Sequence, residues 1–455
     1  MRKIVISLPY GLSFRSVVCC GVVAACRVQG AHVTALLPQA VPADAARLAA
    51  EIPADSDVRP LMPVRPSAYL SYLKLLKQYS YLRRTRLSSF QIRYQTRRRE
   101  KPLLHALAWP VERVSSAILS EETVDRLLAA APQAHEDYYR RLLREVQPDV
   151  VAVSKPGNLP EELPLIKTAR RLRIPTISVD TTWDNMVSKR PPYLRPDGVT
   201  LWNERMYVEA MQYYGFAPDR TTITGGPQFD VFFDAADRPE RATFLRRLGL
   251  HPGRPLVVFA LNHPMFTPDN AGYIRLLVEA IRQGQIRGRP NLVIRVHPWD
   301  RASEYAVAEG DGVCVERPFG VPDPATVYEC LPSIADVRHY GALMRHADVL
   351  VNIASTTSLD AIATDTPVVN IAFDLHPAHP ETSAARFYGF AHYRPIVETG
   401  AVRLTRTPEE LNAAVNAYLD DPGLDAAERR LARERFLTFF DARSAWRVAD
   451  ALQRF

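Results

Sequence analysis

Four stretches of this chain carry side chains whose types and spacing could do chemistry. The longest is Asp348 to Asp374. It opens with Val-Leu-Val-Asn-Ile, an apolar β-branched run that predicts a buried strand. Ser355-Thr-Thr-Ser358 follows at once, then a short helical segment stopped by Pro367, then a second apolar strand. Strand, hydroxyl-rich turn and helix start is the geometry of an anion site. Backbone N–H groups and the positive end of the helix dipole converge there, and Ser355 and Thr356 add donors. The plainer reading is that one of these hydroxyls caps the helix. Asp360 lies in the first turns of that helix, where it either accepts ribose hydroxyls or complements the dipole.

The second stretch is a pair of His-Pro steps. Asn262-His263-Pro264 follows one apolar strand and His297-Pro298 follows another. A strand-end imidazole can meet a phosphate, or it can pack its own loop. The third is Thr181 to Lys189, just past a strand, where open α/β sheets carry their ligands. Asp184 there is a candidate proton acceptor or a turn cap, and Lys189 a partner for Asp184 or for a phosphate. In the fourth, Gly225-Gly-Pro-Gln-Phe-Asp230, Gly225 and Gly226 permit a sharp turn and close approach to a ligand.

The elements that must position these residues follow an α/β rhythm. Strands are expected at Lys3–Leu8, 31–37, 149–154, 175–180, 198–202, 221–224, 255–261, 291–296, 349–354 and 368–374. Helices are expected at about 16–29, 42–51, 121–146, 163–172, 270–283 and 337–346, with a charged helical tail from about 408. Two successive α/β halves of similar size result, with the boundary near 235. The first half holds a basic helical insertion at about 65–146. Its part from Lys74 to Lys101 carries ten basic residues against the single acid Glu100, with tyrosines and leucines interleaved. Such a segment lies on an anionic bilayer, grips an anionic lipid-linked acceptor, or simply covers a core edge as a solvated helix. Nucleic acid is disfavoured, because no recognised nucleic-acid module accompanies the patch.

The 455 residues suit two to three domains, and 47% hydrophobic with 24% charged residues is ordinary for a globular chain with large cores. The net charge of +7 fits an anionic substrate or surface. Five cysteines without framework spacing argue for reduced thiols and a cytoplasmic protein, and no C-x-x-C pair is present to suggest structural zinc. Pro9-Tyr-Gly11 lacks the spaced-glycine dinucleotide fingerprint. Pro9, Gly11, Ser13 and Arg15 break the early apolar run, so a βαβ opening is expected rather than a signal peptide or a membrane-spanning helix.

Taken together, the motifs resemble those of the two-domain nucleotide-sugar transferases of the GT-B architecture. They are nearest the branch of CDP-glycerol glycerophosphotransferases and capsule and surface-polysaccharide transferases. That branch has Trp-His-Gly-x-x-x-Lys; this chain has Trp183-Asp-Asn-Met-Val-Ser-Lys189. It has Arg-x-His-Pro; this chain has Arg295-Val-His-Pro298. It has a spaced Asp, Ser-Ser, Asp and Pro set; this chain has Asp348, Ser355-Thr356, Asp360 and Pro367. The resemblance implies two Rossmann-like domains facing each other across a cleft. Residues 1–235 would form the acceptor side and 236–455 the donor-nucleotide side, with the last helix returning to the first domain. The family's motif His, its general base, is Asp184 here, and its Gly is Asn185. A carboxylate base suits inverting glycosyl transfer, so sugar transfer is favoured over glycerophosphate transfer. The resemblance also implies that no metal or cofactor is needed beyond the nucleotide-activated sugar. His297, Pro298, Ser355, Thr356 and Lys189, with Asn262 and His263 in support, would then face the donor. The expected acceptor is a surface-polysaccharide or lipid-linked glycan, and the protein is expected in the cytoplasm, peripheral to the membrane through 74–101. The other readings are a glycerophosphate-type transferase, a nucleotide-sugar 2-epimerase and a non-catalytic nucleotide-sugar-binding protein.

Overall fold

The computed structural model describes residues 1–38, 50–89, 91, 114, 119–189, 191–234, 238–264, 266–267, 269–298, 300–317, 331–378 and 383–455. The helix expected at 42–51 and the basic residues from 92 to 101 lie largely outside these. The chain divides into two compact units, Met1–Pro227 with Arg443–Phe455, and Gln228–Ala442. The change of unit falls at Pro227, ahead of the boundary expected near 235, because Asp230–Phe233 packs against the Ile334–His346 helix of the second unit.

Unit 1 is built on a parallel sheet of seven strands: β1 Lys3–Ser7, β2 His32–Pro38, β3 Asp57–Leu61, β4 Val150–Val153, β5 Thr176–Val179, β6 Gly198–Leu201 and β7 Thr221–Ile223. Their spatial order is β3-β2-β1-β4-β5-β6-β7. The inner strands are buried on both faces, which is why they read as unbroken apolar runs. The connection from β1 to β2 is helical from Gly11 to Val28, with a π turn at Arg15–Cys19 and a kink at Gly21, whose φ of +87° suits glycine. This stretch is long and apolar enough to cross a membrane by length and composition alone, but 61% of it is buried, and it forms the helix of the expected βαβ opening. Val22–Val28 packs against Ser444–Arg454, the terminal helix.

The insertion is not the single helix that 121–146 suggested. Glu121–Ala130 and Glu136–Val146 are separate, broken by Pro132 and by His135 at φ +65°. Ala68–Thr85 packs beside the former. Lys74 and Lys77, expected on a basic outer face, point inward. Lys74 donates to the Pro191 carbonyl at 2.5 Å and sits 3.5 Å from the Tyr193 ring centroid, while Lys77 pairs with Asp125. Leucines alternate with these lysines on the helix's inner side, so burying Leu70, Leu73 and Leu76 carries the aliphatic stems inward with them.

Unit 2 holds a second parallel sheet: β8 Leu256–Ala260, β9 Asn291–Arg295, β10 Val313–Glu316, β11 Val349–Asn352, β12 Val368–Ile371 and β13 Val402–Thr405, in the order β10-β9-β8-β11-β12-β13. The centre of the sheet is β8-β11, and their carboxyl ends deliver the loops of interest side by side.

Candidate functional site

In unit 2, Asn262 and His263 follow β8, and His297 and Pro298 follow its neighbour β9. The two imidazoles come together, with ring centroids 5.0 Å apart. Burial, assisted by His263, drives the His297 pKa down to about 3. His263 is lowered as well, by burial, with Asp300 opposing. At neutral pH His297 therefore offers an N–H or a lone pair and carries no positive charge. Asp300, which the sequence reading passed over, builds this corner. Its backbone N–H donates to the His297 carbonyl at 2.8 Å, and its carboxylate accepts from Asn270 at 3.1 Å and Tyr305 at 2.8 Å. Asn270 also donates to the Asn262 carbonyl at 2.9 Å, tying the two loops together. The one available signal was an acid three residues past a strand-end histidine.

On the other flank of β8, β11 ends in a tight turn. Ala354 has φ +35°, an uncommon conformation for a residue with a Cβ and one that concentrates at functional turns. The next helix is short, Thr357–Ala363, and Thr356 precedes it with no side-chain cap bond. Ser355 Oγ accepts weakly from the Thr357 N–H, at 3.3 Å. The hydroxyls divide into two pairs. Thr357 and Ser358 turn inward to Asn352, at 2.7 and 3.0 Å, and Ser358 continues to Tyr393 at 2.7 Å. Tyr393 donates on to Asn370 at 2.8 Å, and the Asn370 amide returns to Asn352. Ser355 and Thr356 stay half-buried at the turn itself. Asp360 is only 4% exposed and accepts from Tyr340 at 2.8 Å. Tyr340 lies under the Arg295 guanidinium, 5.1 Å from its ring centroid, and Arg295 pairs with Glu316 at 2.9 Å. Asp360 thus faces the interior and ties the helix to β9 and β10.

In unit 1, the loop after β5 carries the acids. Asp184 pairs with Lys189 at 3.0 Å and accepts from Ser188, so those two predicted residues meet each other. Tyr81 and Tyr214 hold the following Asn185–Ser188 helix by donating to the carbonyls of Met186, at 2.6 Å, and Asn185, at 3.2 Å. Gly225, at φ +80°, and Gly226 close the edge strand β7, separated from β5 by β6.

The sequence reading also missed a buried polar cluster beside Asp184. Asp180, 2% exposed, accepts from the Asn185 amide and from the Thr182 N–H at 3.3 Å, while its Oδ2 meets no donor among the described residues. Burial holds its pKa up to about 7, against the pull of Asn185. Glu162, fully buried at the carboxyl end of β4, accepts from the Ser154 N–H at 2.8 Å and is likewise pushed by burial to about 7. Lys155 lies 4.5 Å over the Tyr10 ring, and its ammonium is made easier to deprotonate by burial despite Asp184, Asp180 and Glu162 nearby. Tyr10 bonds Thr181 at 2.9 Å. Asp180 was legible only as the last polar residue of an apolar strand. Glu162 and Lys155 gave no sequence signal, because tertiary burial alone shifts them. Among the described residues no group of three His, Cys, Asp or Glu side chains is placed to hold a metal ion.

Two parallel sheets with helices on their faces, each delivering loops from its carboxyl edge, form the GT-B fold of two Rossmann-like domains. Solved structures similar along the full length include the Staphylococcus aureus MnaA–UDP complex (10% identity, all of this chain and 96% of that one, TM-score 0.55). They also include the UDP-GlcNAc 2-epimerase of Methanocaldococcus jannaschii (13%, all of both chains, 0.55) and the glycotransferase of kitacinnamycin (13%, all of this chain and 98% of that one, 0.52). At such identities the likeness establishes the fold. No family model matches the chain, and no curated protein matches it.

Proposed function

We propose that this protein is a nucleotide-sugar enzyme, and specifically a glycosyltransferase that works without a metal ion. The observation that carries the proposal is the strand-end cluster of unit 2. Two uncharged imidazoles, a strained hydroxyl turn and a short helix start sit on adjacent loops of one sheet edge. Donors fixed in advance are what a departing nucleotide phosphate needs as charge builds on its oxygens. His297 and His263 donate N–H groups there, and Ser355 and Thr356 donate hydroxyls. Asp184 serves as the base that takes the proton of the acceptor hydroxyl, with Lys189 paired to it at 3.0 Å. The acceptor in this reading is a surface-polysaccharide or lipid-linked glycan. The setting in this reading is the cytoplasm. UDP-sugars are the first donors to try, because one similar structure is a complex with UDP and another is a UDP-GlcNAc 2-epimerase.

One observation favours a second reading. A 2-epimerase must take a proton from the sugar C2 and return it on the other face, which calls for groups that exchange protons near neutrality. Asp180 and Glu162, both at about 7, are such groups. Incubation with UDP-sugars in D2O separates the two readings. Free nucleotide that accumulates with a glycan acceptor, and is lost in Asp184→Asn, supports transfer. Recovered nucleotide sugar that is isomerised and carries deuterium at C2, lost in Asp180→Asn, supports epimerisation. Neither outcome with any donor refutes the enzyme assignment.

A further inference from the structure

Unit 1 contains a cavity of about 530 Å3 to which the proposed chemistry gives no role. It lies between the Ala68–Thr85 and Glu121–Ala130 helices of the insertion, the 191–195 loop and residues 212–215. Its volume is in the range of small-molecule sites. The loop is fixed in place by Gly157, at φ +81°, where a Cβ would come within 1.8 Å of the Leu194 carbonyl oxygen.

The charges in its wall do not balance. Lys77 pairs with Asp125, Arg84 with Glu121 at 3.1 Å, and Arg126 with Glu122 at 2.5 Å. Arg170 and Arg195 have no carboxylate partner among the described residues. Arg195 donates to the Tyr214 carbonyl at 2.9 Å and to that of Gly215, and Arg170 donates to the Arg195 carbonyl at 2.9 Å. Carbonyls orient a guanidinium without neutralising it, so two positive charges remain at the rim, each with further N–H groups to offer. Arg195 is also among the like charges that make Lys77 easier to deprotonate, after burial, the main cause. Tyr213, half-buried, supplies an aromatic wall suited to the C–H face of a sugar ring. Two more wall residues, Tyr81 and Tyr214, are the ones whose hydroxyls hold the carbonyls of Met186 and Asn185, next to Asp184.

We propose that this cavity binds an anionic saccharide, a sugar ring bearing a carboxylate or phosphate. Arg170 and Arg195 take the charge, and occupancy steadies the Asp184 loop through Tyr81 and Tyr214. In the transferase reading, on which only this last assignment rests, the occupant is a charged unit of the acceptor glycan remote from the reacting hydroxyl. Binding itself needs no donor and no turnover.

The test is saturation-transfer NMR on the full chain, with glucuronate, glucose 6-phosphate, glucose and inorganic phosphate as probes and without nucleotide. Glucuronate, glucose 6-phosphate or both should bind at least tenfold more tightly than glucose or phosphate, and binding should weaken as salt is raised. Ala129→Phe, which fills the cavity, should abolish the signal, and Arg170→Gln, at an exposed position, should weaken it about tenfold. Circular dichroism checks that both variants are folded. Hydrogen exchange at the amides of 185–189 should slow with the tighter probe and stay unchanged in Ala129→Phe. The proposal is overturned if no charged sugar outcompetes glucose, if inorganic phosphate binds as well as the sugars, or if binding survives in both variants. These results stand apart from any failure to turn over a nucleotide sugar, which would remove only the acceptor assignment.

Discussion

The two sheets handle their buried ionisable groups in opposite ways. At the carboxyl edge of the first, Asp180 and Glu162 keep their protons up to about pH 7. At the edge of the second, His297 stays uncharged down to about pH 3. The cause is the same in both places, since burial penalises whichever form is charged. The outcome differs because the residue types differ. The first edge can exchange protons near neutrality, which is what acid–base chemistry asks. The second edge is a fixed set of neutral donors, which is what a departing phosphate asks. Lys189 beside Asp184 marks a third arrangement, a carboxylate paired with an ammonium at 3.0 Å.

The sharpest way to break this division is by substitution. Asp184→Asn should lower the transfer rate by roughly 10²–10⁴-fold while leaving nucleotide affinity unchanged. His297→Ala should instead weaken nucleotide binding by about tenfold or more, the loss of a hydrogen bond to a charged group. Steady-state kinetics with isothermal titration measure both. If Asp184→Asn weakens nucleotide binding and leaves the rate alone, the two roles have been assigned to the wrong units.

Next in size is the pH dependence of local stability, which has opposite signs at the two edges. Asp180 and Glu162 bind protons more tightly folded than unfolded, so their stabilisation is complete below about pH 4 and is lost as pH rises through about 7. His297 binds its proton less tightly folded, so its contribution is present above about 6.5 and is lost as pH falls toward 3. Hydrogen exchange corrected for intrinsic pH effects should show β4 and β5 losing protection between about pH 4 and 7. The β9 amides should lose it below pH 6. Asp180→Asn should flatten the first profile and His297→Asn the second.

Smaller effects sharpen the account of the hydroxyl turn. Tyr393→Phe strips the bond shared by Ser358 and Asn370 and should cost about 1–3 kcal/mol in denaturant unfolding. Ala354→Gly relieves the left-handed backbone at the turn but adds freedom to the unfolded chain. Its effect on stability should stay within about 1 kcal/mol. A loss well beyond that would mean that the Ala354 methyl is itself needed for packing.

The sequence determined the doubled α/β plan and every strand that ends at a candidate site. Strands β1, β4, β5, β8, β9 and β11 are buried on both faces, and such burial writes a continuous apolar run that can be read without coordinates. The three strands it left unread are β3, β10 and β13, all at sheet edges, where half-exposed residues such as Asp57, Arg59, Cys314 and Arg403 break the run. It also located His263, His297, Ser355 and Asp184, because residues at strand ends are fixed by the strands themselves. Tertiary structure alone decided what those residues are chemically. It lowered the pKa of His297, turned Asp360, Lys74 and Lys77 inward, and raised the pKa of Asp180. Each of these follows from desolvation and from partners far apart in the chain, and neither is encoded in local spacing.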